Sequence, residues 1–341
     1  MAYVLQNIDS STPGGSAQLS RTCQDASGIM YVAGPATPEV RVIDMSGSLG
    51  LVSSDNSTGW GTKSCVFDGT YVHFAFSSGD RITAYHPYSG VSSLESVAIG
   101  TTTIGPIYDM AWDGSYIIAA SDYDSPNNIQ AISFNGSGYG VNTLGNIGGS
   151  TDNNSVFCQG GKIFLGNSNS TTGLYMVRHS GGAFVEEDHM TATEYIGNIE
   201  DTCGDGTYIY SIDTDGHLNA HLPVGTTLSG VGYIDTQMSN GRCGIETDGT
   251  YIYVCGLGYS VPCMLKAYYF NGNEFEFVSS ITHSTGGTAY YSMIEIWQNE
   301  IVTLKHNITI AAYKDQMSLR AQIAADPIVG HSPLTVNFTS V

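Results

Sequence analysis

The chain is short of charge, and shortest of positive charge. Charged residues make up 12% of the 341, with Lys+Arg 11 against Asp+Glu 31, for a net charge of −20. A field of that sign repels phosphate backbones and acidic lipid surfaces, so neither nucleic acid nor membrane insertion is expected among its partners. No apolar run reaches the ~20 residues of a membrane helix. The segment Met1–Asn7 has neither a basic n-region nor an apolar h-region, so no signal peptide is expected. The expected routes out of a cell are then a leader already removed, or lysis. Long stretches of 3.6-residue apolar periodicity are missing as well, which argues against helical bundles.

Catalytic and metal-binding signatures are equally scarce. There is no CxxC pair, no Cys/His ligand spacing, no Gly-x-Ser-x-Gly and no phosphate-binding loop. Histidines His86, His179 and His221 recur near the ends of third strands but in different repeats, so they do not converge on a metal. The acidic run Glu186-Glu187-Asp188 reads as the solvated face of an outer strand rather than a general acid/base pair. Seven cysteines is an odd number. Cys23, Cys65, Cys158 and Cys203 each stand just before a repeat's turn, as small buried core residues would. Cys255 and Cys263 flank a seven-residue loop and are a candidate hairpin disulfide, with free thiols as the alternative.

What the chain has in abundance is Gly (42), Tyr (22) and turn-forming Ser, Thr and Asn. That composition favours strands and turns, and the fold class is read as all-β. One unit recurs throughout: an apolar segment, a turn such as Asp248-Gly249-Thr250, then a β-rich run such as Tyr251-Ile252-Tyr253-Val254-Cys255. Anchors at Asp25, Asp68, Asp113, Gln159, Asp205, Asp248 and Trp297 are spaced 43, 45, 46, 46, 43 and 49 residues apart. Four positions on stand Ile29, Val72, Ile117, Ile163, Ile209, Ile252 and Ile301, which predicts one core ring built from one branched residue per repeat. A second β run, a turn and a weaker last run complete each unit. Four antiparallel strands in ~40–50 residues is the signature of a propeller blade. The prediction is a seven-bladed β-propeller of four-stranded antiparallel blades over residues 1–318. The outer strand of its last blade is expected from residues 3–9, which would remove an open edge; Met317–Ile323 is the alternative source.

Gly28-Ile29-Met30-Tyr31-Val32-Ala33-Gly34 followed by Val40-Arg41-Val42-Ile43-Asp44 resembles YVTN-type seven-bladed propellers. The repeats lack the Trp-Asp ends of WD repeats and the double Gly of kelch. Further on, Ala321–Thr339 with its Pro333-Leu334-Thr335-Val336-Asn337-Phe338 resembles the opening of a PKD domain. The resemblance implies that 319–341 is an incomplete PKD-like (Ig-like) segment, because a whole domain of that class takes ~100 residues.

Binding is better supported than catalysis, and the protein is expected not to be an enzyme. The face carrying the loops between second and third strands would display Trp60, Tyr108, Tyr123, Tyr259, Tyr290 and Tyr291 among Asp, Asn and Ser. Such aromatic platforms suit glycans or protein surfaces. Two acidic loops, with Asp122 and Asp124 and with Asp213 and Asp215, are candidate calcium sites, with plain turn chemistry as the alternative. No other cofactor is expected. The expected function is a non-catalytic recognition or structural module on a surface, foremost a bacteriophage virion. It would decorate a capsid or tail, and contact neighbouring virion proteins or host glycan. An oligomer formed through the C-terminal segment is a further possibility. The alternatives are a secreted or cell-surface adhesin or matrix protein, and a polysaccharide-active propeller hydrolase or lyase.

Overall fold

The computed structural model describes residues 5–11, 21–34, 40–45, 50–55, 61–76, 81–89, 96–102, 104, 106–121, 127–148, 153–167, 172–191, 197–238, 243–256, 264–282, 291–297, 300–305 and 310–315. The first strand, β1 (Leu5–Ser11), stands apart from its neighbours in sequence. Next in the chain come six sheets, each of four consecutive strands. They are β2 (Arg21–Gln24), β3 (Ile29–Ala33), β4 (Val40–Asp44) and β5 (Gly50–Asp55); then β6 (Thr62–Phe67), β7 (Val72–Phe76), β8 (Arg81–Tyr85) and β9 (Ser96–Thr101). The third sheet holds β10 (Ile107–Trp112), β11 (Ile117–Ser121), β12 (Ile129–Phe134) and β13 (Tyr139–Gly145), and the fourth holds β14 (Asn153–Gln159), β15 (Lys162–Asn167), β16 (Thr172–Ser180) and β17 (Ala183–Thr191). The fifth comprises β18 (Ile199–Gly204), β19 (Ile209–Asp213), β20 (His217–Val224) and β21 (Thr227–Asp235). The sixth comprises β22 (Gly244–Thr247), β23 (Tyr251–Gly256), β24 (Met264–Phe270) and β25 (Phe275–Thr282).

The seventh sheet is made from both ends of the described chain. β26 (Tyr291–Trp297), β27 (Glu300–Lys305) and β28 (Ile310–Asp315) are joined by β1, which pairs antiparallel with β28 from Leu5↔Asp315 to Ser11↔Ile310. The innermost strands neighbour one another in sequence order, and β26 lies beside β2, so the ring is closed. The molecule is an all-β propeller of four-stranded antiparallel blades. The residues 319–341 and the strand candidate Met317–Ile323 lie outside the described residues.

The Asp-Gly unit folds as a hairpin turn with a double side-chain cap. In the Asp68, Asp113, Asp205 and Asp248 turns, Oδ1 accepts the backbone N–H groups two and three residues on, at 2.6–2.8 Å. The glycine after each takes φ between +86° and +96°, a region open to Gly without steric cost. The second carboxylate oxygen is used as well. Tyr210 donates its hydroxyl to Asp205 Oδ2 at 2.6 Å and Tyr253 to Asp248 Oδ2 at 2.7 Å, and His73 Nε2 stands 2.8 Å from Asp68 Oδ2. The equivalent position after Asp113 is Ile118, which cannot donate. Asp205→Ala removes the one oxygen that accepts two N–H groups and leaves the buried Tyr210 hydroxyl without its partner, at an expected cost of about 2–3 kcal/mol. Asp113→Ala should cost about 1 kcal/mol less, as read from the two urea midpoints. Equal losses would contradict the role given to the tyrosine.

Two expectations about the core are corrected. The first repeat's turn is one residue longer, with Asp25 N–H donating to Ile29 O rather than to a residue three on. The pairing Gln24↔Met30 matches Phe67↔Val72, so the ring position belongs to Met30, and Ile29 points to the other face. Nor do the equivalent residues form one ring. Val72, Ile117, Ile163, Ile209, Ile252 and Ile301 are all buried, but each belongs to a different hydrophobic cluster. The cause is geometric: each sheet has two faces, and both are buried, one against each neighbour. One cluster joins Tyr31, Val40 and Val42 to Val72, Phe74 and Phe76. The next joins Ala75 and Ile82 to Met110 and Ile117.

Candidate functional site: the central channel

The innermost strands surround a channel of about 200 Å³, to whose lining all seven contribute. Five of these strands carry a β-bulge at the same place in the repeat, between Thr62/Ser64, Ile107/Asp109, Asn153/Ser155, Ile199/Asp201 and Tyr291/Met293. A bulge adds a residue, bends the strand and re-aims the neighbouring side chains. Directly after the bulge in the first four of these strands stand Ser64, Asp109, Ser155 and Asp201; Arg21 occupies the corresponding position of β2.

These side chains meet across the ring. Arg21 Nη1 donates to Asp201 Oδ1 at 2.6 Å, and its Nε lies 3.3 Å from Asp109 Oδ1. Its Nη2 donates to the carbonyls of Asn154 and Glu200, two of the bulge residues. The carboxylates reach onward to the next sheet. Asp109 Oδ2 accepts Val156 N–H at 2.9 Å and Asp201 Oδ2 accepts Ile245 N–H at 3.1 Å, while Ser64 Oγ donates to Asp109 Oδ1. One guanidinium and two carboxylates thus tie together strands from six of the sheets.

Deeper along the channel stand Glu246 and Glu295, at equivalent positions of β22 and β26. Burial pushes Glu246 up to about 8, the neighbouring Glu295 adding to it and the Thr247 N–H opposing it. Burial raises Glu295 to about 7 against a hydrogen bond from Thr22. Burial likewise raises Asp109 to about 6, held back by Arg21. Burial works against the charge on Arg21, but Asp109 and Asp201 outweigh it and raise the guanidinium's pKa above its ordinary value. Near neutrality the channel therefore holds an ion-paired end and an end with partly protonated carboxyls.

The candidate residues from the sequence are scattered relative to this site. Tyr108 is not in a loop: it is the bulge residue of β10, half-buried, with the Lys63 ammonium 4.7 Å from its ring centre. Tyr291 opens β26. Trp60, Tyr123, Tyr259 and Tyr290 lie outside the described residues, as do Asp122, Asp124 and Cys263. Cys255 is fully buried in β23. Asp213 is also fully buried: its Oδ1 accepts the N–H groups of Asp215 and His217, and its Oδ2 accepts Gly197 N–H and stands 2.9 Å from His217 Nδ1. Its oxygens hold a turn together, and among the described residues no group of three or more His, Cys, Asp or Glu is placed to hold a metal ion.

Three smaller expectations also meet the structure here. Cys65 and Cys203 are buried, whereas Cys23 and Cys158 are half-buried. Glu187 is not on a solvated face, because Lys162 and Arg178 both pair with it and its side chain is 5% exposed. Its hydrogen bond from Lys162 holds the carboxyl below its ordinary range. His221 is buried beside Ser211, and burial lowers it to about 4.

No family model matches the chain, and no curated protein resembles it in sequence. Solved structures do resemble it in shape. The β-propeller domain of Cps50 (Swd1) from Myceliophteria thermophila superposes with a TM-score of 0.66 at 11% identity, over 89% of this chain and 99% of that one. The WD40 β-propeller domain of Doa1 gives 0.64 at 11% identity, over 93% and 98%. This chain shares that architecture without the Trp-Asp ends of the WD pattern. At such low identity the likeness shows the fold alone: the chain is a β-propeller of four-stranded blades.

Proposed function

We propose that this protein is a non-catalytic recognition or structural module displayed on a surface, foremost that of a bacteriophage virion. In this reading its scaffold is a seven-bladed ring of loosely YVTN-like type, with residues 319–341 beginning a PKD-like segment. The observation that carries it is the engagement of the channel's charged groups. Arg21, Asp109 and Asp201 bind one another and the backbone of neighbouring strands, which leaves them to hold the ring rather than to act on a substrate. The volume of about 200 Å³ also falls below the ~300–1,000 Å³ of ordinary small-molecule sites. Recognition is then the work of the loops and clefts that the scaffold spaces apart. Quantitative mass spectrometry of purified virions should find the chain at a stoichiometric ratio to capsid or tail proteins; its absence from particles would overturn virion display.

The hydrolase or lyase reading is favoured by one observation, the raised carboxyls of Glu246 and Glu295 in a single channel. A protonated and an ionised carboxyl together are what acid/base cleavage of a glycosidic bond needs. Release of reducing ends from a polysaccharide panel, abolished by both Glu246→Gln and Glu295→Gln, would establish it over the first reading.

A further inference from the structure

A second cavity, of about 340 Å³, lies between the fifth and sixth sheets, with Lys266, Tyr268 and Phe277 on one side and Ile234–Gln237 on the other. Its volume falls within the ordinary range for small ligands. Three features around it break the rules that hold elsewhere in the chain. Lys266 is 8% exposed, although lysine stems normally carry the ammonium out to water. Among the described residues that ammonium makes one hydrogen bond, to the Thr236 carbonyl, and an ammonium has three N–H groups to place. Phe277, edge-to-face with Tyr268 at 5.9 Å, is 57% exposed. Gln237 has φ +58°, the one positive value at a non-glycine residue among those described. Backbone strain of this kind gathers at ligand clamps.

We propose that this cleft binds a small organic carboxylate, with the carboxylate on Lys266 and an apolar flank against Phe277. A buried ammonium with N–H groups to spare needs acceptor oxygens, and a carboxylate supplies both acceptors and the opposite charge. Burial lowers the Lys266 pKa and Asp235, whose Oδ1 accepts Gln237 N–H, works the other way. An anion would take over that second role at closer range. The polar rim of Asp235, Gln237 and Ser280 suits the hydroxyls of a sugar acid, and the aromatic wall suits either a sugar ring or an aromatic acid. The site deepens the recognition reading but is tested by binding alone, so its failure leaves virion display standing.

Calorimetric titration of the full chain with glucuronate and with benzoate, against glucose and benzamide as uncharged counterparts, tests the assignment. At least one acid should bind, and its counterpart should bind at least about tenfold more weakly, as expected for losing a charged hydrogen bond. Binding by glucuronate identifies a sugar acid as the source, and binding by benzoate an aromatic acid. Lys266→Met should lower affinity at least about tenfold without lowering Tm, because the replacement fills the same buried space without a charge. Phe277→Ser, at an exposed position, should weaken the same acid severalfold and keeps the test open should the first variant misfold. No binding by either acid, equal binding by the uncharged counterparts, or affinity unchanged in both variants would overturn the proposal.

Discussion

Arg21→Met is expected to lower the stability of the folded ring by about 3–5 kcal/mol, the range for removing one partner of a buried ion pair. The arginine side chain is 11% exposed, and the Asp109 and Asp201 side chains are 9% and 13% exposed. Without it two carboxylates face each other in a narrow channel, each still fixed by an N–H group of the next sheet. Much of the loss comes from those stranded charges, so Asp201→Asn in the Arg21→Met background should recover part of it. Arg21→Lys keeps the charge but lacks the fork that reaches Asp201 and two carbonyls at once, so it should recover less than half. Urea unfolding of the four proteins at constant salt is the measurement. A midpoint for Arg21→Met equal to that of the parent would show that the clasp does not hold the ring.

Stability is expected to fall as pH rises from about 4.5 to about 8, the reverse of ordinary acid denaturation. The sign comes from the carboxyls that line the channel, whose three shifts together outweigh the opposite contribution of buried His221, lowered to about 4. Glu246 moves from 4.5 to about 8, Glu295 from 4.5 to about 7 and Asp109 from 3.8 to about 6 on folding. A raised folded-state pKa means that the folded chain keeps protons the unfolded chain has released. The stabilisation is complete below the unfolded values and is lost as each folded value is passed. With about 1.4 kcal/mol per unit, discounted for water in the channel, Glu246 alone contributes on the order of 2–4 kcal/mol. Self-repulsion at a net charge of −20 works in the same direction, and Glu246→Gln separates the two. The amide can still accept the Thr247 N–H, so the variant should be more stable than the parent at pH 8.5 and show a flatter profile. A parent midpoint that rises between pH 5 and 8.5 would exclude this account.

The parts of the fold legible in the sequence are those written locally. Asp68-Gly69 and its copies announce their turns because the cap, the acceptors and the positive φ all lie within four residues. The run Arg81–His86 is readable as a strand for the same reason, and β8 is Arg81–Tyr85. Ile29 misleads because the longer turn at Asp25 shows only in pairing, when Gln24 lies opposite Met30. The channel is illegible for a related reason. Arg21 and Asp201 are 180 residues apart, and Arg, Ser, Asp, Ser and Asp at one repeat position share no hydrophobic signature. The bulges that turn those side chains together are properties of a strand and its partner, not of either strand alone. The Tyr210 and Tyr253 clamps are readable in principle, since each stands five residues after its Asp, but tyrosine is so common here that the spacing does not stand out.

The pairing of β1 with β28 sets the order in which the molecule can be completed. Translation adds roughly 5–20 residues per second, so Leu5 waits on the order of 15–60 s for its partner Asp315 to be made. Throughout that time six sheets can assemble in turn, each docking on the one before, while the first strand trails as an unpaired edge. Such an edge is the part of a nascent chain most open to pairing with another copy. The Asn7/Asp9 irregularity in β1 interrupts that edge, as bulges do in strands that must not recruit strangers. The seam is therefore the last joint of the ring to form during synthesis and the place where a second ribosome's product competes with the chain's own β28.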